Sequence, residues 1–243
     1  YLAIKDLYSL TLIGYFFNNF MPTSIGGDLV KGYYISKNIK SKLFSYASVF
    51  VDRAVGMLSL IFIASVALII TGEDIKHRFI FWTIGLLLLF CLVGILVLLN
   101  KKLLKKISTS LGLVRLLSLL KLDSLTQKAY DAMNIYTNHK RKIFKMFVLS
   151  VVAQVVSFCT VYLLAISLGV HIPFIKIMLI MPIIAILLML PITFNGLGLR
   201  EWSFVFFFSP NIGDVAALSL SLLFFAIYLL VSAIGGILYL FRR

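Results

Sequence analysis

The stretch Met21-Pro-Thr-Ser-Ile-Gly-Gly-Asp-Leu-Val-Lys31 has a counterpart much later in the chain, Leu190-Pro-Ile-Thr-Phe-Asn-Gly-Leu-Gly-Leu-Arg-Glu201. When the prolines of the two stretches are aligned, Lys31 falls on Arg200. Each stretch has an apolar run, a proline, glycines and then a cation at the start of a new apolar run. Proline cannot continue a helical hydrogen-bond ladder, and glycine permits a tight reversal. The pattern therefore predicts two helices that stop and restart.

The composition places these breaks in a membrane protein. The chain is 61% hydrophobic and 13% charged, whereas soluble domains are roughly 45–50% apolar and about 25% charged. Several apolar runs reach the roughly 20 residues that a helix needs to cross a bilayer. The net charge of +14 is typical of basic cytoplasmic loops facing anionic lipid, so we expect no nucleic-acid partner. The sequence predicts an all-α, polytopic membrane protein.

The apolar runs divide one transmembrane domain, residues 1–243, into spans and shorter segments. Four full spans are predicted, at 49–70, 79–99, 147–168 and 215–241. Residues 100–146 are predicted to be a basic amphipathic segment on the membrane surface. The chain starts at Tyr1 inside a helical pattern, so we expect an N-terminal portion to be missing.

Loop charges predict the orientation of the spans. The basic loops are expected to be cytoplasmic and the others external; the basic ones are 37–46, 100–146 and the C-terminus. Residues 1–46 and 175–209 must then each enter and leave on one face, as re-entrant hairpins of broken helices. Three spans separate the hairpins, so the second is inverted relative to the first. Such an inverted repeat typically points to a transport site near the membrane midplane.

Irregular backbone is tolerated inside a membrane only where protein or water covers it. Two breaks at corresponding depth therefore predict a shared polar cavity. Helices that restart there direct free N–H groups and positive dipole ends into the cavity, which favours an anion. Lys31 and Arg200 add positive charge, and Arg200 can bind a phosphate through two N–H groups. The alternative for both cations is an interfacial anchor.

Further residues are predicted to bind the substrate with these two cations. They are Ser24, Gly26, Gly27, Asp28, Asp52, Arg53, Asn195, Gly196, Gly198 and Glu201. The acidic neighbours of the cations either neutralise the empty site or contact a cationic part of a headgroup. The hydroxyls alternatively satisfy freed backbone groups, and the Asp-Arg pair is either a structural ion pair or part of the site. We predict no catalytic residue, metal or cofactor.

Three motifs carry a resemblance to a known family: residues 22–31, the pair Asp52-Arg53, and residues 195–201. In this order they resemble the lysylphosphatidylglycerol synthase transmembrane family, also called flippase-like membrane proteins. The resemblance implies movement of a phospholipid or another anionic lipid between leaflets of the cell membrane. Members commonly have two further spans before the first motif.

The same resemblance is compatible with two alternative functions. Members of the family also occur fused to, or encoded beside, aminoacyl-transfer and glycosyl-transfer domains. A noncatalytic membrane partner of a lipid-modifying synthase or glycosyltransferase is therefore the first alternative. A membrane-embedded transferase is the second, although the histidines lie in or beside loops and no catalytic motif is evident.

Overall fold

The computed structural model describes residues 4–19, 27, 30–34, 42–71, 140–189, 193 and 195–241. These residues form helices and turns, with no strand among them, as predicted for an all-α protein. The helices are α1 (Ile4–Asn18), α2 (Lys42–Thr71), α3 (Lys140–Ser167), α4 (Phe174–Leu188), α5 (Leu199–Ile212) and α6 (Asp214–Phe241). The predicted span at 79–99 and most of the predicted basic segment lie outside the described residues.

Three of the described helices are long and apolar enough to cross a membrane. Their apolar parts are Val51–Thr71, Arg141–Ser167 and Asp214–Phe241, with 21, 27 and 28 residues. At about 1.5 Å per residue the shortest is about 32 Å long, which matches a hydrocarbon core of ~30 Å. Three of the predicted spans, 49–70, 147–168 and 215–241, coincide with these helices. Helix α3 begins at Lys140, so the end of the predicted surface segment is continuous with a span.

Helices α4 and α5 form a helical hairpin, which we call the second hairpin. They contain 15 and 14 residues and are about 22 Å long, too short to span a bilayer. Lys176, in the first turn of α4, donates a hydrogen bond from Nζ to Oδ1 of Asn211 at the end of α5, at 2.9 Å. The open ends of the two helices therefore lie side by side, and the turn between them lies at the opposite end.

Helix α1 and the helical residues 27 and 30–34 form what we call the first hairpin. The backbone N–H of Gly27 donates to Oδ1 of Asn18 at 2.6 Å. A Cβ atom on Gly27 would overlap the carbonyl oxygen of Gly14, and a Cβ on Gly14 would lie 2.8 Å from Cε of Lys31. The glycines thus allow the two arms to pack backbone against backbone.

Both hairpins pack on α6, and the second also packs on α2. Helix α1 lies along α6, and α4 lies along α2, while α5 also packs on α6. The main hydrophobic core is formed by side chains of α2, α3, α4, α5 and α6. It surrounds the fully buried rings of Phe158, Phe204 and Phe208. Helix α1 approaches α6 at two glycines. A Cβ on Gly235 would overlap the carbonyl group of Leu12, and one on Gly236 would lie 2.6 Å from the ring of Phe16.

We expect Gly235→Ala to separate α1 from α6, because the new methyl group would overlap backbone that has no room to move. Overpacking of this kind lowers the free energy of unfolding by about 1–3 kcal/mol. Thermal unfolding in detergent measures the change. The matched control is Gly56→Ala on α2, since no described atom lies within 4 Å of a Cβ there. Equal stability of the two variants would contradict the close contact.

Candidate functional site

The turn of the second hairpin is built from left-handed backbone. Asn195, Gly196 and Gly198 have φ angles of 48°, 75° and 80°. Glycine adopts such angles without strain, and asparagine is one of the few other residues that tolerates them. Helix α5 then starts directly from the turn, with the N–H of Arg200 bonded to the carbonyl of Gly196 at 2.8 Å. The Asn-Gly-x-Gly sequence therefore determines where α5 begins.

Glu201 caps the first turn of α5. The backbone N–H of Gly198 donates to Oε2 of Glu201 at 2.5 Å, which is the reciprocal half of a capping box. This carboxylate thus satisfies a backbone donor at the break, a role that the sequence prediction of a neutralising or headgroup-binding residue did not include. Its other oxygen, Oε1, is buried and has no hydrogen-bond partner among the described residues.

Arg200 is a buried cation in the same helical turn, with 6% of its surface exposed. Its Nη2 donates to the carbonyl oxygen of Asn195, and its guanidinium carbon lies 4.2 Å from the centroid of the Phe225 ring on α6. Within the described part of the chain, Nη1 is buried without a hydrogen-bond acceptor. Such a charge is expensive to bury, so the free N–H groups are well placed to bind an anion.

Asn19, directly after the last residue of α1, connects the two hairpins. Nδ2 of Asn19 donates to Oγ of Ser232 on α6 at 2.6 Å. Oδ1 of the same amide accepts a hydrogen bond from Nδ2 of Asn195 at 2.6 Å. The end of α1 and the turn of the second hairpin therefore touch, as expected if the two breaks share one cavity.

Tyr228 of α6 lies beside this junction. Its hydroxyl group donates a hydrogen bond to the backbone carbonyl oxygen of Tyr15 at 3.4 Å. Its ring lies 5.8 Å from that of Tyr15 on α1. Tyr228 therefore connects α6 with the first hairpin.

Lys31 reaches the same aromatic pair from the first hairpin. Its Nζ lies 5.7 Å from the centroid of the Tyr15 ring, a distance at which a cation interacts favourably with an aromatic face. The Tyr15 ring contacts Tyr228 on α6, and Phe225 of the same helix stacks with Arg200, so both cations that the sequence selected are linked to α6 through aromatic rings.

The other predicted site residues have different positions. Asp52 is exposed and Arg53 is half-buried in the first part of the α2 span. Ser24, Gly26 and Asp28 lie outside the described residues. Among those that are described, no cluster of three His, Cys, Asp or Glu side chains could hold a metal ion.

The sequence prediction did not select several polar or aromatic residues of this junction. These are Asn18, Asn19, Phe225, Tyr228 and Ser232. Asn18 and Asn19 could have been selected from the sequence, because a pair of amide side chains at the end of an apolar run is unusual in a membrane protein. Nothing local distinguishes the others from the rest of α6, since they face the site only through the packing of α6 against α1 and α5.

These observations define an integral membrane protein of the polytopic α-helical class, with paired short helices between its spans. The model of one membrane-domain family, the lysylphosphatidylglycerol synthase TM region, matches residues 2–236. The chain therefore belongs to that family, as the three motifs predicted. No curated protein and no solved structure matches the chain.

Two substitutions of Glu201 distinguish its hydrogen bond to the Gly198 N–H from the effect of its negative charge. We expect Glu201→Ala to lower the free energy of unfolding by about 1 kcal/mol, as is typical for loss of a helix cap. Glu201→Gln keeps an acceptor for the Gly198 N–H and should retain most of that stability. Thermal unfolding of the three proteins in the same detergent gives the comparison. A glutamine variant as unstable as the alanine variant would show that the negative charge matters instead.

Proposed function

We propose that this protein moves an anionic phospholipid, or an anionic headgroup linked to a lipid, between the leaflets of the cell membrane. The observation that carries the proposal is the buried guanidinium of Arg200, whose Nη1 has no acceptor among the described residues. It lies at the start of a helix and beside the contact between the two hairpins. A lipid phosphate has the charge and the oxygens that this group lacks.

Several features at this junction favour an anion over a neutral ligand. The N-terminus of α5 adds a partial positive charge near Arg200. Lys31 adds a second full positive charge beside the Tyr15 ring, which lies 5.8 Å from the ring of Tyr228 on α6. An anion bound near Lys31 and Arg200 would lower the cost of holding both cations within the protein.

The arrangement of the helices supports alternating access to this site. Helices α1, α4 and α5 are each too short to cross the bilayer. The first hairpin packs through α1 on α6, and the second packs through α4 on α2 and through α5 on α6. Each hairpin therefore contacts a span from the other half of the chain, as expected if the two halves form the inverted repeat predicted from the loop charges. In such repeats, rocking of one half against the other exposes a central site to each side in turn.

We place the basic loops, at 37–46 and 100–146, and the C-terminus in the cytoplasm. The headgroup would then enter the site from one leaflet while its acyl chains remain in lipid. The proposal includes no catalytic step, because the residues at the junction serve to bind charge and to satisfy backbone groups.

Membership in a family named for a synthase supports one alternative, in which the chain is a noncatalytic membrane partner of a lipid-modifying synthase or glycosyltransferase. In that case the same anionic headgroup would be held for the partner enzyme and not translocated. Co-purification with such an enzyme, together with headgroup binding but no translocation, would favour this function.

Purified protein in sealed vesicles containing fluorescent phosphatidylglycerol tests translocation, with dithionite quenching reporting the outer leaflet. We expect Arg200→Ala and Lys31→Ala to slow translocation roughly tenfold or more, because each removes a charge-assisted hydrogen bond to phosphate. Arg200→Lys should retain part of the activity, since lysine keeps the positive charge but lacks the planar pair of N–H donors that can bind two phosphate oxygens.

The matched control is Lys176→Ala, which removes a cation from the open end of the second hairpin, away from its turn. It should translocate lipid at the parental rate. Parental rates in both site variants would show that Arg200 and Lys31 do not bind the headgroup.

A further inference from the structure

We propose that the side-chain amides of Asn19 and Asn195 form a gate, which must open before a headgroup can reach Arg200. The identity of the ligand rests on the proposed function, whereas the gate itself is argued from contacts between described residues. The gate consists of one hydrogen bond, from Nδ2 of Asn195 to Oδ1 of Asn19 at 2.6 Å. It is a direct polar contact between the turn of the second hairpin and the end of α1.

The Asn19 side of the gate is held in place. Its Nδ2 donates to Ser232 of α6, and α1 rests on α6 at Gly235 with no space for even a methyl group. The amide of Asn19 therefore stays fixed relative to α6, and opening must move the other side.

The Asn195 side is able to move. This residue lies in a left-handed turn, at the far end of α4 from its anchored first turn. Gly196 and Gly198 follow it with φ angles of 75° and 80°, and glycine changes its backbone angles with little steric penalty. A small rotation at these glycines would carry the amide of Asn195 away from α1 without moving the packed core.

The gate is coupled to the binding group. The backbone carbonyl of Asn195 accepts the hydrogen bond from Nη2 of Arg200. Displacing the turn would therefore also release an N–H of Arg200 for the ligand. The buried Oγ1 of Thr193, two residues earlier in the same turn and without a partner among the described residues, would become accessible at the same time.

The strength of the contact suits a gate. Side-chain hydrogen bonds between membrane helices change an equilibrium by roughly threefold on average and by about fifteenfold at most. A contact of this size keeps the gate closed most of the time, yet a bound anion can open it. The packed core around Phe204 and Phe208 offers no comparably weak point, because moving it would leave cavities.

The test measures access to the turn directly. A single cysteine replaces Thr193 in a background where Cys91 and Cys159 are serine, and its rate of modification by the anionic, impermeant reagent ethylsulfonate methanethiosulfonate is followed. Asn19→Ala and Asn195→Gly are introduced singly and together, glycine being chosen because it tolerates the φ of 48° at position 195. The control is Asn211→Ala, which removes the hydrogen bond with Lys176 at the other end of the hairpin.

We expect each gate variant to raise the modification rate by roughly threefold to fifteenfold, and the double variant to be no faster than the faster single variant. The control should react at the rate of the unmutated background. Unchanged rates, or rates that multiply in the double variant, would overturn the gate. If Asn19→Ala yields no folded protein, Asn195→Gly compared with Asn211→Ala decides the outcome alone. Failure of the parent to translocate lipid would remove the proposed transport function but would leave this result standing.

Discussion

Every structural feature of this protein depends on one constraint: backbone N–H and C=O groups inside hydrocarbon must be bonded within the protein. At both places where a helix is interrupted, side chains supply the missing partners. Asn18 accepts from the N–H of Gly27 in the first hairpin, and Glu201 accepts from the N–H of Gly198 in the second. At least one backbone donor at each interruption is therefore bonded within the protein.

Glycine makes this arrangement compact. Gly14 and Gly27 bring the arms of the first hairpin together, and Gly235 brings α1 onto α6. Small residues are the usual means by which membrane helices approach closely, because lipid provides no hydrophobic force between helices. Close packing on these surfaces places the end of α1 beside the turn of the second hairpin. The polar junction is thus a consequence of backbone contacts made by residues without side chains.

Composition and periodicity were sufficient to predict the long apolar helices and the interruption between α4 and α5, because both depend on local sequence. The partners of the site could not be predicted in the same way. Asn19 meets Asn195 across 176 residues and Ser232 across 213, and such pairs depend on which helices pack together. The capping role of Glu201 was predictable from its position three residues after Gly198, whereas the stacking of Arg200 on Phe225 was not.

The central claim is that the second hairpin enters and leaves the membrane on one face. Sidedness of labelling tests it most directly: single cysteines are placed at the exposed residues His171 and Asp214, which flank the hairpin, in sealed vesicles of one orientation. An impermeant maleimide should reach both positions from the same side of the vesicle. Labelling of the two positions from opposite sides would mean that residues 174–212 cross the bilayer, and the shared site between two hairpins could not exist.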